Sequence, residues 1–364
     1  MIWPSFDYPI RMESVRSTME SLELDGLVIS RMVNIRYLTG FTGSAALLYL
    51  GADGATVLAT DGRYTTQAAE ELAIDAVVRI RGVEGYRPVL EDCVAPGRIG
   101  LEADTTTWSD VRHYNEWLPE AKLVPTTDVV EGARKVKDKG EMVRIERAVE
   151  IADETLAAVM GHIRPGVSEV SVAARIEAEF RARGASGPSF DTIAATGPRS
   201  AMPHAHPTSA PVEAGHLLVL DFGCVVEGYC SDMTRTLVVG APTARQREVY
   251  ELVSAAQEAA RAMAAPGVCV GDLDRAARAV IESGGHGEAF SHPLGHGVGL
   301  EIHEAPWVRG TTTDTLEPGY VVTDEPGVYL PGFGGVRIED MIVVTASGCR
   351  TLTRSPKDLA SMTV

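Results

Sequence analysis

The feature that most constrains the fold of this chain is that part of it is written twice. Val212-Glu-Ala-Gly215-His-Leu-Leu-Val-Leu-Asp221-Phe-Gly223 lies over Leu316-Glu-Pro-Gly319-Tyr-Val-Val-Thr-Asp-Glu325-Pro-Gly327, matching Glu213 with Glu317, Gly215 with Gly319 and Asp221 with Glu325. Each copy leads through a short glycine-containing connection into a second β-rich run with its own acid, Asp232 in one and Glu339 in the other. Upstream, Pro165-Gly166-Val167 and a helical pattern closing at Gly184 are echoed by Pro266-Gly267-Val268 and a helical pattern closing at Gly285. Coincidence aligns one acid, but hardly both acids with their glycines and helix turns as well. The expectation is a duplicated unit of helix plus β-hairpin, whose halves face each other and contribute two carboxylates each.

The run His292-Pro-Leu-Gly-His296-Gly-Val-Gly-Leu-Glu-Ile-His303-Glu304 adds imidazoles on a glycine-rich, β-forming backbone that can approach a site closely. Carboxylates and a His-rich turn together read as a metal site. Four carboxylates gathered in a low-dielectric pocket cannot all ionise without compensation. One divalent ion would leave excess negative charge, whereas two roughly neutralise the set. Two ions bridged by Asp232 and Glu339, about 3.5 to 4 Å apart, are therefore expected. Oxygen ligands suit Mn²⁺, the first expectation, or Mg²⁺, and the single imidazole widens the set to Co²⁺, Fe²⁺ and Zn²⁺. Water between two such ions loses a proton near neutral pH, which makes hydrolysis the natural reaction.

Each acid also has a bland reading, a solvent-facing charge on a strand. Asp221 escapes it because Leu217-Leu-Val-Leu220 ahead of it is continuously apolar, so the strand is expected to be buried on both faces and its acid to need a partner. Asp340, next to Glu339 on the opposite side of the strand, is expected to face solvent. His113, His162, His216 and His286 stand alone and read as surface or packing residues, while His206, two residues after His204, fits either reading.

At 364 residues the chain suits two domains. Residues 1–126 alternate β-like runs (Gly26 to Ser30, Ala45 to Leu50, Ala55 to Thr60, Ala76 to Ile80) with helical ones (Ser14 to Leu22, Tyr64 to Leu72), the pattern of an α/β layer domain. The polar passage Glu131–Gly140 carries the break. After it Met142, Ile145, Ala148, Ala152, Leu156 and Val159 form the stripe of an amphipathic helix, and residues 127–364 hold the duplication and every ligand considered above. In the first domain, Asn34 to Ser44 and Thr60 to Tyr64 read as glycine turns, or as loops that reach the far end of a substrate. A net charge of -17 argues against nucleic acid and anionic membrane as partners. Five cysteines without a Cys-x-x-Cys pair suggest neither a disulfide framework nor a thiolate site, and a reducing cytoplasm is expected. No secretory signal pattern and no run of about 18 apolar residues is seen.

On these residues the second domain resembles the pita-bread metallopeptidases, and the whole length resembles their Xaa-Pro branch, the prolidases and aminopeptidase P. The resemblance rests on Asp221-Phe-Gly, Ser231-Asp232-Met-Thr-Arg-Thr, His292 to Glu304, Thr323-Asp-Glu325-Pro-Gly-Val-Tyr and Gly335-Val-Arg337-Ile-Glu339-Asp. It implies an α+β architecture, a duplicated pita-bread domain behind a smaller α/β creatinase-like domain. It implies that Asp221 and Asp232 hold one metal, that His296 and Glu325 hold the other, and that Asp232 and Glu339 bridge. Glu325 would also be general acid/base, His303 would stabilise the oxyanion, and His204 would contact the scissile peptide. His292 would line the proline pocket, and Arg337 would orient the bridging acids. Pro293 departs from the glycine or small polar or basic residue usual after that histidine. It fixes φ and removes a donor, so its expected effect is on the placement of His292.

What the resemblance implies is a dinuclear peptidase that cleaves small Xaa-Pro peptides, as a homodimer, with Xaa-Pro dipeptidase and Xaa-Pro aminopeptidase both open. Arg36, Arg63 and Arg87 are the residues considered for capturing a substrate carboxylate. A broader-specificity relative is the alternative, and a non-catalytic peptide-binding protein a remoter one. Methionine aminopeptidases generally lack so large an N-terminal domain, and creatinases do not retain all five ligands.

Overall fold

The computed structural model describes residues 3–364. Two compact units are present, Phe6–Arg134 and Lys135–Val364, residues 3–5 belonging with the second. The division falls inside the polar passage Glu131–Gly140.

The first unit is built on a six-stranded sheet whose order, counted along the chain, is four, three, two, one, five, six. Strands Gly26–Ile29, Ala46–Gly51 and Thr56–Asp61 run antiparallel in turn, and the other pairings are parallel. Val28, Leu47, Tyr49, Ile99 and Leu101 pack with Leu90, Tyr114 and Leu118 from helices Arg87–Cys93 and Trp108–Trp117 and the residue following it. The short loops hold themselves together: Ser44 Oγ lies 2.6 Å from the Tyr64 hydroxyl. Arg63 closes on Asp61 through Nε to Oδ1 at 2.9 Å and Nη2 to Oδ2 at 2.8 Å, and Arg87 pairs with Glu91 at 2.7 Å.

The second unit is the duplicated α+β architecture. Helix Lys139–Met160 starts at a capping box of Asp138 and Glu141, buries the stripe Ile145, Ala148, Ala152, Leu156 and Val159, and is followed by helix Glu169–Ala182. Their counterparts are Ala244–Met263, which has its own capping box of Thr243 and Gln246, and Val270–Ser283. Each pair backs onto a hairpin. In the first half Leu217–Phe222 pairs antiparallel with Met233–Val238, and in the second Val321–Asp324 pairs with Asp340–Thr345. Gly215 and Gly319, matched in sequence, both take a positive φ, 86° and 95°, at the turn that enters the hairpin. Only glycine takes that conformation without strain. Each half has its own apolar core, one around Ile151, Phe180, Leu218 and Phe222, the other around Tyr250, Val253, Val322 and Ile342. The halves join edge to edge, Glu339 N–H donating to Thr234 O at 3.1 Å, so the acids of both hairpins meet at one place.

Candidate metal centre

Strand periodicity carries four carboxylates to the junction. Asp221 is on Leu217–Phe222, Asp232 enters Met233–Val238, Glu325 follows Val321–Asp324 and Glu339 precedes Asp340–Thr345. Carboxylate oxygens of Asp221, Asp232 and Glu339 all lie within 4.8 Å of one another. His296 is on the short strand Gly295–Gly297, where a Cβ on Gly295 would stand 2.2 Å from Thr323 O, so glycine is what allows this backbone in. Its Nδ1 is 3.0 Å from Gly297 O. A carbonyl only accepts, so Nδ1 carries a proton and Nε2 is the nitrogen turned to the acids: it donates to Glu325 while the ring is protonated and would offer its lone pair to a metal. That nitrogen lies 3.3 Å from Glu325 Oε1 and 3.6 Å from Asp232 Oδ2. All five expected ligands thus converge.

The donor set fits divalent metal. Asp221 Oδ1 and Glu339 Oε1 are buried without a hydrogen-bond partner, and Asp232 and Glu339 are 5% and 1% exposed. Burial, then the neighbouring carboxylates, pushes Asp232 and Glu339 well above the carboxylate range. Burial raises Asp221 as well, against the pull of Arg337. Glu325 goes the other way: burial alone would raise it, but the hydrogen bond and charge of His296 bring it to about 2. A cluster of buried acids with unpartnered oxygens beside an imidazole whose Nε2 faces them suits divalent cations of hard to borderline character.

Surrounding groups hold this set. Arg337, 3% exposed, pairs with Asp221 through Nη2 and donates from Nε to Thr234 Oγ1 at 3.0 Å and from Nη1 to the Tyr329 hydroxyl at 2.8 Å. Thr234 Oγ1 in turn donates to Glu339 Oε2 at 2.7 Å. Arg337 was expected to orient the bridging acids; it grips Asp221 directly and reaches Glu339 only through Thr234. His292 Nδ1 is 2.8 Å from Pro293 O and its Nε2 is 2.9 Å from the Tyr329 hydroxyl. Its Nδ1 must donate to that carbonyl, so Nε2 accepts from Tyr329. Both nitrogens are engaged, and the ring offers the pocket its face. Pro293 thus meets His292 through its main-chain carbonyl.

The four carboxylates, His296, His292 and Arg337 line a cavity of about 460 Å³, with His204, His206, His303, Phe190, Ile193 and Trp307 around its wall. His303 opens to solvent on one side. Burial of the other, then nearby His296, holds it below the usual histidine range, so it is neutral at pH 7. Its ring lies 4.4 Å from that of His296 and 6.4 Å from that of Trp307. Sequence reasoning missed Thr234, Thr323, Tyr329 and Trp307. Two of them carried a signal: Thr234 is two residues after Asp232 and Thr323 two before Glu325, which places them on the ligand face of their strands. Thr323 Oγ1 donates to Glu325 Oε1 at 3.0 Å and accepts from His296 N–H at the same distance.

The reading of Asp340 is corrected. It is on the face opposite Glu339, as expected, but that face is interior: Asp340 is 2% exposed and paired with Arg235 and Lys357. Glu304 is likewise buried, paired with Lys137 Nζ at 2.8 Å. The histidines read as solitary have ordinary neighbours, His162 near Ser171 and His113 stacked on Trp117.

A carboxylate raised above its unfolded pKa costs stability once pH exceeds the ordinary carboxylate range, and that cost is absent where the group is protonated in both states. Metal should offset it. The gain in Tm on adding Mn²⁺ to chelated protein is therefore expected to be large at neutral pH and to shrink as pH falls towards the ordinary carboxylate range, where protons compete for Asp232 and Glu339. Thermal melts across that range check this, and a gain that grew on acidification would contradict it.

Comparison with known proteins agrees with the geometry. Residues 143–346 match the model of metallopeptidase family M24, and residues 11–136 that of the creatinase/prolidase N-terminal domain. The chain is 37% identical over 350 residues to the Xaa-Pro dipeptidase of Pyrococcus furiosus, covering 96% of this chain and 99% of that one. Among solved structures, an Xaa-Pro dipeptidase from Bacillus anthracis superimposes with a TM-score of 0.93 at 36% identity, over 98% of this chain and all of the other. An X-Pro aminopeptidase from Thermotoga maritima does so with a TM-score of 0.87 at 36% identity, over 95% and 100%. Among the described residues no helix is long and apolar enough to cross a membrane.

Proposed function

We propose, from the premise that this chain belongs to metallopeptidase family M24, that it hydrolyses the peptide bond preceding proline in small peptides. The observation that carries the reading is the convergence of Asp221, Asp232, His296, Glu325 and Glu339 at the junction of two duplicated hairpins. Those five residues would hold two divalent ions, Mn²⁺ first. When bound, the ions supply charge neutralisation, polarisation of the scissile carbonyl and activation of water.

The chain's own groups do the rest. Glu325, ionised and fixed by Thr323 and His296, accepts a proton and returns it to the leaving nitrogen. His303, neutral and open to the cavity, donates to the carbonyl oxygen as it becomes an oxyanion. His204, also on the wall, orients the peptide. Arg337 and Thr234 keep Asp221 and Glu339 aimed inward.

Proline selectivity is supported by the His292 face. With both ring nitrogens occupied by Pro293 and Tyr329, His292 has no acceptor to give to a substrate N–H. A proline nitrogen brings no N–H into the pocket, whereas an ordinary residue would leave one unpaired, at a cost of about 1–3 kcal/mol. That corresponds to roughly ten- to over a hundredfold in kcat/KM. Ala-Pro is therefore expected to be cleaved well ahead of Ala-Ala, measured on matched peptides with and without a third residue. Equal kcat/KM would remove the proline preference and leave the metallopeptidase. Adding the third residue separates the dipeptidase from the aminopeptidase form of the reading.

A further inference from the structure

Behind the metal ligands lies a second polar cluster that the proposed chemistry does not use. Along Met233–Val238, Thr234 and Thr236 turn to Glu339 and Arg337, so Arg235 between them must point away from the site. It is fully buried, and all five of its N–H groups are engaged. Nη1 donates to Thr234 O at 2.9 Å and to Glu339 O; Nη2 to Asp340 Oδ1 at 2.7 Å and Ser355 O at 2.9 Å; Nε to Pro356 O at 3.0 Å. The other oxygen of Asp340 accepts from Lys357 Nζ at 2.6 Å and from Gln257 Nε2 at 3.3 Å, and Lys357 also donates to Gln257 Oε1 at 2.7 Å.

This cluster ties together four pieces of chain: the hairpin strand of each half, helix Ala244–Met263 and the C-terminal segment Ser355–Lys357. Two of its acceptors are main-chain carbonyls of residues at the site, Thr234 and the ligand Glu339. Across the seam between the halves Asp232 and Glu339 stand close together, joined by Glu339 N–H to Thr234 O at 3.1 Å and Thr234 Oγ1 to Glu339 Oε2 at 2.7 Å, and the Arg235 guanidinium ties the Thr234 and Glu339 carbonyls together from behind. Buried ion clusters are rarely the most stabilising way to fill an interior, since apolar side chains of similar volume often do as well or better. What such a cluster does supply is a directional register.

We propose that Arg235, Asp340 and Lys357 form a clamp that holds Asp232 and Glu339 at metal-ligand spacing, so that the C-terminal segment helps set metal affinity. The inference rests on the reading of these acids as metal ligands. All three are positioning residues, since none of them lies on the cavity wall.

The test is Mn²⁺ binding to the full chain by equilibrium dialysis, with the Tm of the chelated protein recorded for each variant. Asp340→Asn keeps the shape but removes the charge. Lys357→Met removes the cation at a position whose side chain is 32% exposed, against 3% for Asp340. Both are expected to weaken Mn²⁺ binding about 10- to 100-fold, as loss of groups that orient metal ligands does. Lys357→Arg should restore most of the affinity, and kcat at saturating Mn²⁺ should fall much less than affinity does. If Asp340→Asn does not fold, the pair Lys357→Met and Lys357→Arg carries the test alone. A lowered Tm with Mn²⁺ affinity within twofold of the parent would make the cluster purely structural and overturn the clamp. Failure of the unaltered protein to bind Mn²⁺ would instead overturn the metal site on which it rests.

Discussion

Glu325→Gln is expected to lower kcat by about 10²- to 10⁴-fold or more at saturating metal, the range seen when a general acid/base is removed. The substitution is nearly isosteric, so the cavity keeps its shape. What goes is the charge that His296 Nε2 faces at 3.3 Å, while the amide oxygen can still accept from Thr323 Oγ1. Burial works against ionisation of Glu325, and the hydrogen bond and charge of His296, helped by His292 and Arg337, bring its pKa down to about 2. An amide has neither the charge to hold a cation nor the basicity to take a proton, so a metal ligand and a proton carrier are lost together. His204→Ala, which removes a ring from the cavity wall, is expected to raise KM and cost much less in kcat. Measuring both variants on Ala-Pro, with Mn²⁺ content determined in parallel, separates the roles. Equal small losses would move proton transfer to another residue.

Exhaustive chelation is expected to bring peptidase activity to background, with Mn²⁺ or Co²⁺ restoring it. The reason lies in the acids themselves. In the metal-free protein Asp232 and Glu339 are pushed far above the carboxylate range by burial and by their neighbours, and Asp221 and Glu339 each have a buried oxygen without a hydrogen-bond partner. The groups lining the cavity include no hydroxyl or thiol to attack in place of water: they are imidazoles, carboxylates, one engaged guanidinium and apolar or aromatic side chains. Full turnover by protein shown to be metal-free would sink the two-metal reading.

Much of this was legible in the sequence, and for definite reasons. The duplication predicted two helix-and-hairpin halves because matched glycines and acids mark matched turns and strands, and the hairpins Leu217–Phe222 with Met233–Val238 and Val321–Asp324 with Asp340–Thr345 are those halves. That the four carboxylates of the two hairpins would meet followed from the duplication and from charge, since buried acids need compensation, whereas the choice of His296 among the imidazoles came from the resemblance to the pita-bread metallopeptidases. The capping signals and apolar stripe of the helix Lys139–Met160 were local, and local signals survive folding.

What only the tertiary structure decided was pairing between distant segments and what covers a face. Arg337 meets Asp221 from 116 residues away, and Tyr329, not a water or a substrate, takes the second nitrogen of His292. Asp340 was placed on the correct side of its strand by the two-residue period, yet read as facing solvent. Periodicity states which way a side chain points and nothing about what packs there. In this chain the far side of that strand is closed by Arg235, helix Ala244–Met263 and the C-terminal segment, so a residue that looks like a surface charge becomes half of a buried ion pair.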